Sequence, residues 1–433
     1  MIHLQNKFKI AGLLVISTLV VCVSSCNKDL EQFVASPVVP PSGLALGETI
    51  AATASDSLYY RLIVKAGMVA TINNKAANYT MFVPDNNGMK IFINAISGGA
   101  VPLAAPDAVF AGFIVANLPA ASAAGIVSYN TIPQKLTSSQ VPTAFPNFQL
   151  PSLITLPQPP PVNPFVKLTT FPSAKTQLAY VNNIPVTAID AVAANGVIHH
   201  VFTVVAPPTQ VLRDVIGNEP TLSYFRAAVL RADSGSVVKA NKDSTNFLNF
   251  LLGYGVTNMT ILAPNDAAFQ NLIYGTAYGY ALSQGAPPAV ADAQAKGALA
   301  LGPAIFSAPT FYGILPASSV KGILAYHFLA SVISPDTSYK PNIRVFSVNF
   351  SSTPGFVKTL INSSSDPLPH AHPGIMVQAT FTGPVVTALK FTGLGTFPPG
   401  GTPYSGAAAT AVSIDKHGVN GVLHIIDKVL LPQ

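Results

Sequence analysis

The sequence predicts short strands mixed with short helices, arranged as two copies of one domain. Two observations carry this. The phrase Asn195 to Pro207 (Asn-Gly-Val-Ile-His-His-Val-Phe-Thr-Val-Val-Ala-Pro) returns as Asn420 to Pro432 (Asn-Gly-Val-Leu-His-Ile-Ile-Asp-Lys-Val-Leu-Leu-Pro), each time closing a segment. An earlier phrase, a strand, a proline and a polar cap, runs Tyr79 to Asn86 and again Met259 to Asp266, so Pro84 and Pro264 stand 180 residues apart. Met89 and Phe269, the first apolar helix positions after it, keep the same offset of 180. Two apolar faces in one phase behind one phrase are the signature of an internal repeat.

The N-terminal residues read as a targeting segment. Lys7 and Lys9 precede an apolar run, Ile10 to Val23, that is too short to cross a membrane. It ends in Val23-Ser24-Ser25-Cys26, which resembles the lipobox of bacterial lipoproteins. That resemblance implies removal of residues 1–25, with Cys22 among them, and lipidation of Cys26. No mature cysteine then remains for a disulfide, a metal or a nucleophile. Several acyl chains on one residue anchor stably where a single chain is marginal. Asn27 and the charged run Lys28-Asp29-Leu30-Glu31 resemble outer-membrane sorting and surface-export signals. The expected location is the outer membrane, lipid-anchored, on its cell-surface or periplasmic face. Residues 26–47, with Pro37, Pro40, Pro41, Gly43 and Gly47, read as a flexible tether.

The first domain is expected over residues 48–208 and the second over 209–433. In the first, Leu58, Leu62 and Lys65 share a helical face beside Tyr59, Ile63 and Ala66, and Gly67 stops it. Met89, Phe92 and Ile93 follow the Pro84 phrase at i, i+3 and i+4. In the second, Thr221 is expected to cap a helix carrying Leu222, Phe225 and Val229, and Phe269, Leu272 and Ile273 repeat the later face. Each closing run is short, rich in Val, Ile and Leu, and ended by Pro, so it reads as a buried strand. The Asn-Gly pair before it is expected to take positive φ in a tight turn.

The copies differ in length: Pro84 to Asn195 spans 111 residues and Pro264 to Asn420 spans 156. The surplus is assigned to Tyr274 to Thr310 and Ser334 to Pro373, and the first copy has its own Pro-rich excursion, Pro142 to Pro164. Loops of this length lie on the surface and carry recognition, or are disordered.

Composition excludes some classes of function. Charged residues are 9%, against about 25% in an average soluble domain. The formal charge of +6, less Lys7 and Lys9, leaves +4 without a basic stripe, so nucleic acid is not an expected partner. No Gly-x-Ser-x-Gly elbow and no phosphate-binding Gly-x-x-x-x-Gly-Lys loop occurs, and carboxylates are few and scattered.

The repeated phrases resemble the boxes of the fasciclin domain. The first box stands as Thr260-Ile-Leu-Ala-Pro264-Asn265-Asp266-Ala-Ala-Phe269, and more loosely as Thr80-Met-Phe-Val-Pro84-Asp-Asn86. The second stands as Asn420-Gly421-Val-Leu-His424-Ile-Ile-Asp427; the earlier copy, Asn195-Gly196 with His199, has Phe202 where the family has Asp. Between the boxes the family carries a Tyr-His pair, matched by Tyr326-His327, whereas the first copy offers Tyr129-Asn130. Val181-Asn182-Asn183-Ile184 fits a further family phrase before the last box. The resemblance covers residues 48–433. It implies an α+β fold, each unit a small twisted β core (a wedge of two sheets) with packed helices. It also implies that Tyr326 and His327 match a pair that animal members are thought to use in adhesion; read from its apolar helix pattern, the pair packs.

His199 and His424 lie in apolar strands without partner ligands, so they are expected to be buried, neutral and bonded to backbone. His370, His372 and Asp366 could hold a metal loosely but lack a third ordered ligand. No catalytic residue, metal or cofactor is expected. The expected function is a non-enzymatic, surface-tethered adhesion or binding lipoprotein, two modules on one tether acting by avidity on a surface protein or polysaccharide. The alternatives are a glycan-binding accessory of a polysaccharide-uptake system, which would need an aromatic platform among Tyr274, Tyr278, Tyr280 and Tyr312, and a purely structural envelope protein.

Overall fold

The apolar run Tyr79–Pro84 forms a strand, β1, with all six residues buried. In the computed structural model it lies parallel to the closing strand, Tyr79 beside Gly196 and Met81 beside Ile198. The structure describes residues 41–143, 145, 148–156, 163–175, 177–234, 248–332, 339–340, 342–363, 372–395 and 408–432. Cys26 and the targeting segment, Asp366, His370 and the run Pro157 to Val162 lie outside the described residues.

The first half continues through β2 (Thr131–Ile132), β3 (Pro172–Ala174), β4 (Leu178–Val181), β5 (Ile184–Ala193) and β6 (Gly196–Val201), in the sheet order β2-β1-β6-β5-β4-β3. The second half gives β7 (Met259–Pro264), β8 (Gly355–Val357), β9 (Ile375–Thr382), β10 (Val385–Thr392), β11 (Ala409–Gly418) and β12 (Gly421–Ile426), in the order β8-β9-β10-β11-β12-β7. Read from the parallel pair outward, the two sheets share the closing strand and the three strands beyond it; they differ at the edges, where β2 flanks β1 in the first and β8 extends the second. β1 with β6 and β7 with β12 are parallel; every other named partner in these sheets is antiparallel. Register shifts in β5 around Ala188 and in β11 around Ser413 bulge both strands at one place, and such bulges curl a sheet.

Both faces of the parallel pair are covered, which is why β6 and β12 read as continuous apolar runs. On one face Met81, Val83 and Ile198 pack with Leu58, Leu62, Ile63, Phe110 and Ile114. These helical residues come from α2 (Ser57–Lys65) and α4 (Asp107–Ala116); α1 (Leu46–Ala52), α3 (Asn86–Ile96) and α5 (Ala120–Tyr129) complete the layer. On the other face Phe82 and Val201 meet Tyr129 and Leu168. The second half repeats this with α6 (Leu212–Gly217), α7 (Ser223–Asp233), α8 (Leu248–Gly253), α9 (Asp266–Ser283), α10 (Pro288–Ala300) and α11 (Ala317–His327). The α+β expectation holds in both halves.

Three local expectations are corrected. Ala45, Leu46 and Gly47 are buried and α1 begins at Leu46, so the body starts before the end of the expected tether. Thr221 does not cap the α7 helix: its hydroxyl donates to Glu219 Oε1. The Asp266 carboxylate does so, accepting from Ser223 Oγ at 2.7 Å and Tyr224 N at 2.9 Å. In the first half Asn86 takes the same role, accepting from Leu58 N at 3.0 Å. The Asn-Gly pairs do not take positive φ. Their glycines sit where the parallel strands approach closely: a Cβ on Gly196 would collide with the Tyr79 carbonyl oxygen, and one on Gly421 with that of Met259.

The surplus Tyr274 to Thr310 is ordered. Helix α9 has 18 residues where α3 has 11, and α10 packs against it through buried Ala291 and Ala295.

The two halves meet over β3, β4 and the segment Arg344 to Val348. Phe171 faces Phe346 at 6.0 Å between ring centroids, and Tyr180 OH donates to Pro384 O at 3.0 Å. Arg344 is buried with its guanidinium 4.7 Å above the Phe171 ring. It donates from Nε to Asn258 Oδ1 at 2.7 Å and from Nη2 to Val419 O at 2.9 Å. His417 Nε2 lies 3.1 Å from Nη1 and accepts from it, so His417 is neutral.

Candidate functional site

The residues of the two repeated phrases come together around the parallel pair, in the same arrangement twice. Asn195 Oδ1 accepts from Leu46 N at 2.8 Å while its amide donates to Ile72 O and Asn74 O. Asn420 Oδ1 accepts from Leu212 N at 2.7 Å and its amide donates to Leu252 O at 3.0 Å. Each asparagine thus ties the first helix of its repeat, and the turn before β1 or β7, to the start of the closing strand. Thr80 Oγ1 donates to Gln134 O and accepts from Leu136 N; Thr260 Oγ1 does the same with Ile343 O and Val345 N. Beyond Pro84 and Pro264, Asp85 and Asn265 cap α3 and α9, each accepting from the backbone N–H three residues on. Phe269 is buried in the helical core against Phe225 and Phe306. Asp427 Oδ1 accepts from Thr410 N at 2.7 Å, whereas Phe202 at the matching place is half exposed.

His199 and His424 are fully buried, as the sequence suggests. Nε2 of His199 donates to Leu136 O at 2.9 Å and Nδ1 accepts from Asp190 N at 3.2 Å. Nε2 of His424 donates to Val345 O at 3.1 Å and Nδ1 accepts from Asp415 N at 3.4 Å. Burial pushes both imidazoles below their ordinary pKa. The aspartates were not singled out in the sequence. Both take left-handed backbone, φ 60° at Asp190 and 57° at Asp415, inside the bulges. Their carboxylates accept from the amide and hydroxyl of Ser138 and of Ser347. An Asp nine residues ahead of a strand His was the available signal, since it recurs as Asp190 with His199 and Asp415 with His424.

Ser, Asp and His therefore meet twice, but in the wrong order for hydrolysis. A catalytic relay needs the Ser hydroxyl on one imidazole nitrogen and the carboxylate on the other. Here the serine is spent on the carboxylate, and both imidazole nitrogens face backbone. The cluster pins a bulge. Among the described residues no group of three His, Cys, Asp or Glu is placed to hold a metal ion.

Tyr326 and His327 are fully buried. Tyr326 OH donates to Gly374 O at 2.8 Å, and its ring meets His372 edge-on at 5.3 Å. His327 Nδ1 donates to Ile323 O at 2.7 Å and Nε2 accepts from Leu430 N at 2.9 Å. Burial pushes its pKa down to about 4. The departure in the first copy now has a reason. Asn130 Nδ2 donates to Ile126 O, four residues back as Ile323 is, and its Oδ1 accepts from Val205 N. Asn and neutral His each supply one donor and one acceptor to the same two places, so they exchange. Tyr129 OH donates to Thr169 O at 2.9 Å and accepts from Asn182 Nδ2. Tyr326→Phe is expected to lose about 1–2 kcal/mol by orphaning the buried Gly374 carbonyl, read from the urea midpoint; no change would show that the carbonyl is otherwise satisfied.

The aromatic platform is not assembled by the insertion. Tyr274 and Tyr278 stack on each other at 5.9 Å, and the Tyr274 hydroxyl is bonded to Asp292. The face of Tyr312 is taken by the Arg231 guanidinium at 3.5 Å. Tyr280 is the one of the four with neither contact, 45% exposed.

Residues 56–207 match the family model described as Fasciclin domain, which is the copy whose boxes depart further from the family phrases. No curated protein matches the chain. Among solved structures, an insect FAS1 domain pair from the cell adhesion molecule Fasciclin I matches with 12% identity and a TM-score of 0.30, covering 87% of this chain and 97% of that one. The repetition in this chain rests on its own registers and hydrogen bonds.

Proposed function

We propose that the chain, whose residues 56–207 match the fasciclin domain family model and whose second half repeats the same hydrogen bonds, is a non-enzymatic, surface-tethered adhesion or binding lipoprotein. Fasciclin domains are associated with adhesion or binding and are generally not enzymes. One observation carries the reading. The motif side chains that could do chemistry, His199, His424, Tyr326 and His327, are fully buried and bonded to backbone. What such a chain offers a partner is surface, not a reacting centre. Its scarcity of charge favours recognition by shape, hydrogen bonds and apolar contact over electrostatic steering.

Anchoring rests on Val23-Ser24-Ser25-Cys26. Cys26→Ala is expected to move the protein from the membrane to the soluble fraction; retention on the membrane would sink the lipid anchor. Protease shaving of intact cells is expected to remove the body of the wild-type protein. Protection until the outer membrane is opened would turn the reading toward a periplasmic, envelope-structural role.

A further inference from the structure

A groove of about 470 Å³ runs between α1, α2 and α4, lined by Ala51, Tyr60, Arg61, Val64, Lys65 and Val115, with Ser57 at one end. Its volume lies in the roughly 300–1,000 Å³ range of small-ligand sites, which are apolar with a few placed polar groups. Val64 and Val115 are 53% and 59% exposed there. Arg61 and Lys65 stand one helical turn apart on α2, and no acidic residue lines the groove. Lys65 Nζ donates to Val115 O at 2.6 Å, bridging α2 to the end of α4. Among the described residues Arg61 has no ion pair or side-chain hydrogen bond.

These features select an occupant. The walls are helices whose backbone groups are bonded within themselves, so no strand edge is offered to an extended peptide. Ser57 is already engaged with Asn86. A ligand with polar atoms along its length would leave them unpaired. What is complementary is an apolar chain along Ala51, Val64 and Val115 with one anionic end on Arg61, whose fork matches a carboxylate. We propose that this groove binds a single-chain aliphatic carboxylate. The site goes beyond the adhesion reading, and neither needs the other.

The test is titration of the full chain with monomeric sodium dodecanoate by calorimetry. Saturable uptake of one molecule per chain is expected. Arg61→Ala should weaken it about tenfold, and dodecanol, with the same chain and no carboxylate, should bind about tenfold more weakly than dodecanoate. Val64→Asp, which sets a like charge in the apolar floor, should abolish it. Both positions are exposed, so unliganded melting should be unchanged and the variants folded. Absence of saturable uptake, or equal uptake by wild type and both variants, would overturn the proposal. So would retention on phosphatidylglycerol vesicles that Val64→Asp removes without any uptake of dodecanoate, which would make a membrane surface the occupant.

Discussion

Acidification from pH 7 to pH 4 is expected to remove about 3 kcal/mol of stability through His327 alone. Its folded pKa is pushed from 6.5 down to about 4 by burial, and a proton on Nε2 would also cost the bond that this nitrogen accepts from Leu430 N–H. Between those values the unfolded chain takes up a proton that the folded chain refuses. Stability is therefore intact above pH 6.5, falls as pH falls, and the loss is complete below about 4. His199, His417 and His424 are depressed in the same sense by burial, His417 also by the Arg344 guanidinium it faces. His200 works the other way: its bond to Asp56 raises its pKa, so that pair is at full strength in acid and fades as pH rises. The sum favours acid unfolding. His327→Asn, which copies the Asn130 arrangement, is expected to fold and to bind about one proton fewer on unfolding across this window. Urea titrations at several pH values measure that slope; an unchanged slope would show that His327 is not the neutral group described.

The second large effect concerns the glycines of the closing strands. Gly196→Ala or Gly421→Ala should cost roughly 4 kcal/mol or more, since the added methyl group meets a backbone carbonyl on the neighbouring strand as well as a leucine side chain, and the carbonyl does not yield. That carbonyl cannot retreat without breaking a parallel pair of six matched residues. Gly322→Ala is the control. It lies within α11 with open space around a new Cβ, and is expected to stabilise by about 1 kcal/mol through helix propensity. Thermal melts of the three variants decide the point. Similar melting for Gly196→Ala and wild type would mean that the strands are further apart than described.

Much of this was legible in the residues. The strand-Pro-cap phrase and the closing phrase located the two central strands of each half and the apolar helix faces behind them, because apolar run length and cap chemistry are local properties; that the two strands lie side by side and parallel was not legible. The Tyr-Asn departure looked like a loss and is a substitution of equivalents, visible only once Val205 and Leu430 are seen to occupy one place. The Asn-Gly signal was misread because its usual meaning is a turn with positive φ, whereas here tight packing between strands demands the glycine. Asp190 and Asp415 keep one spacing to His199 and His424, which the sequence shows, but the bulge that turns them onto Ser138 and Ser347 is encoded by no short motif. Arg344 escaped for a different reason: its partners Asn258, Val419 and Phe171 are scattered along the chain and belong to both halves.

The tie from Asn420 to the start of α6 has a mechanical consequence. Leu212 is fastened to Asn420, the residue just before β12, and the chain leaves β12 at its far end. Tension applied between Leu212 and the residues past Ile426 therefore runs along the axis of β12. That strand is gripped by β7 on one side and β11 on the other. It cannot be peeled one rung at a time and must slide against both neighbours together. A module loaded in this way resists pulling far better than its thermal stability alone would indicate.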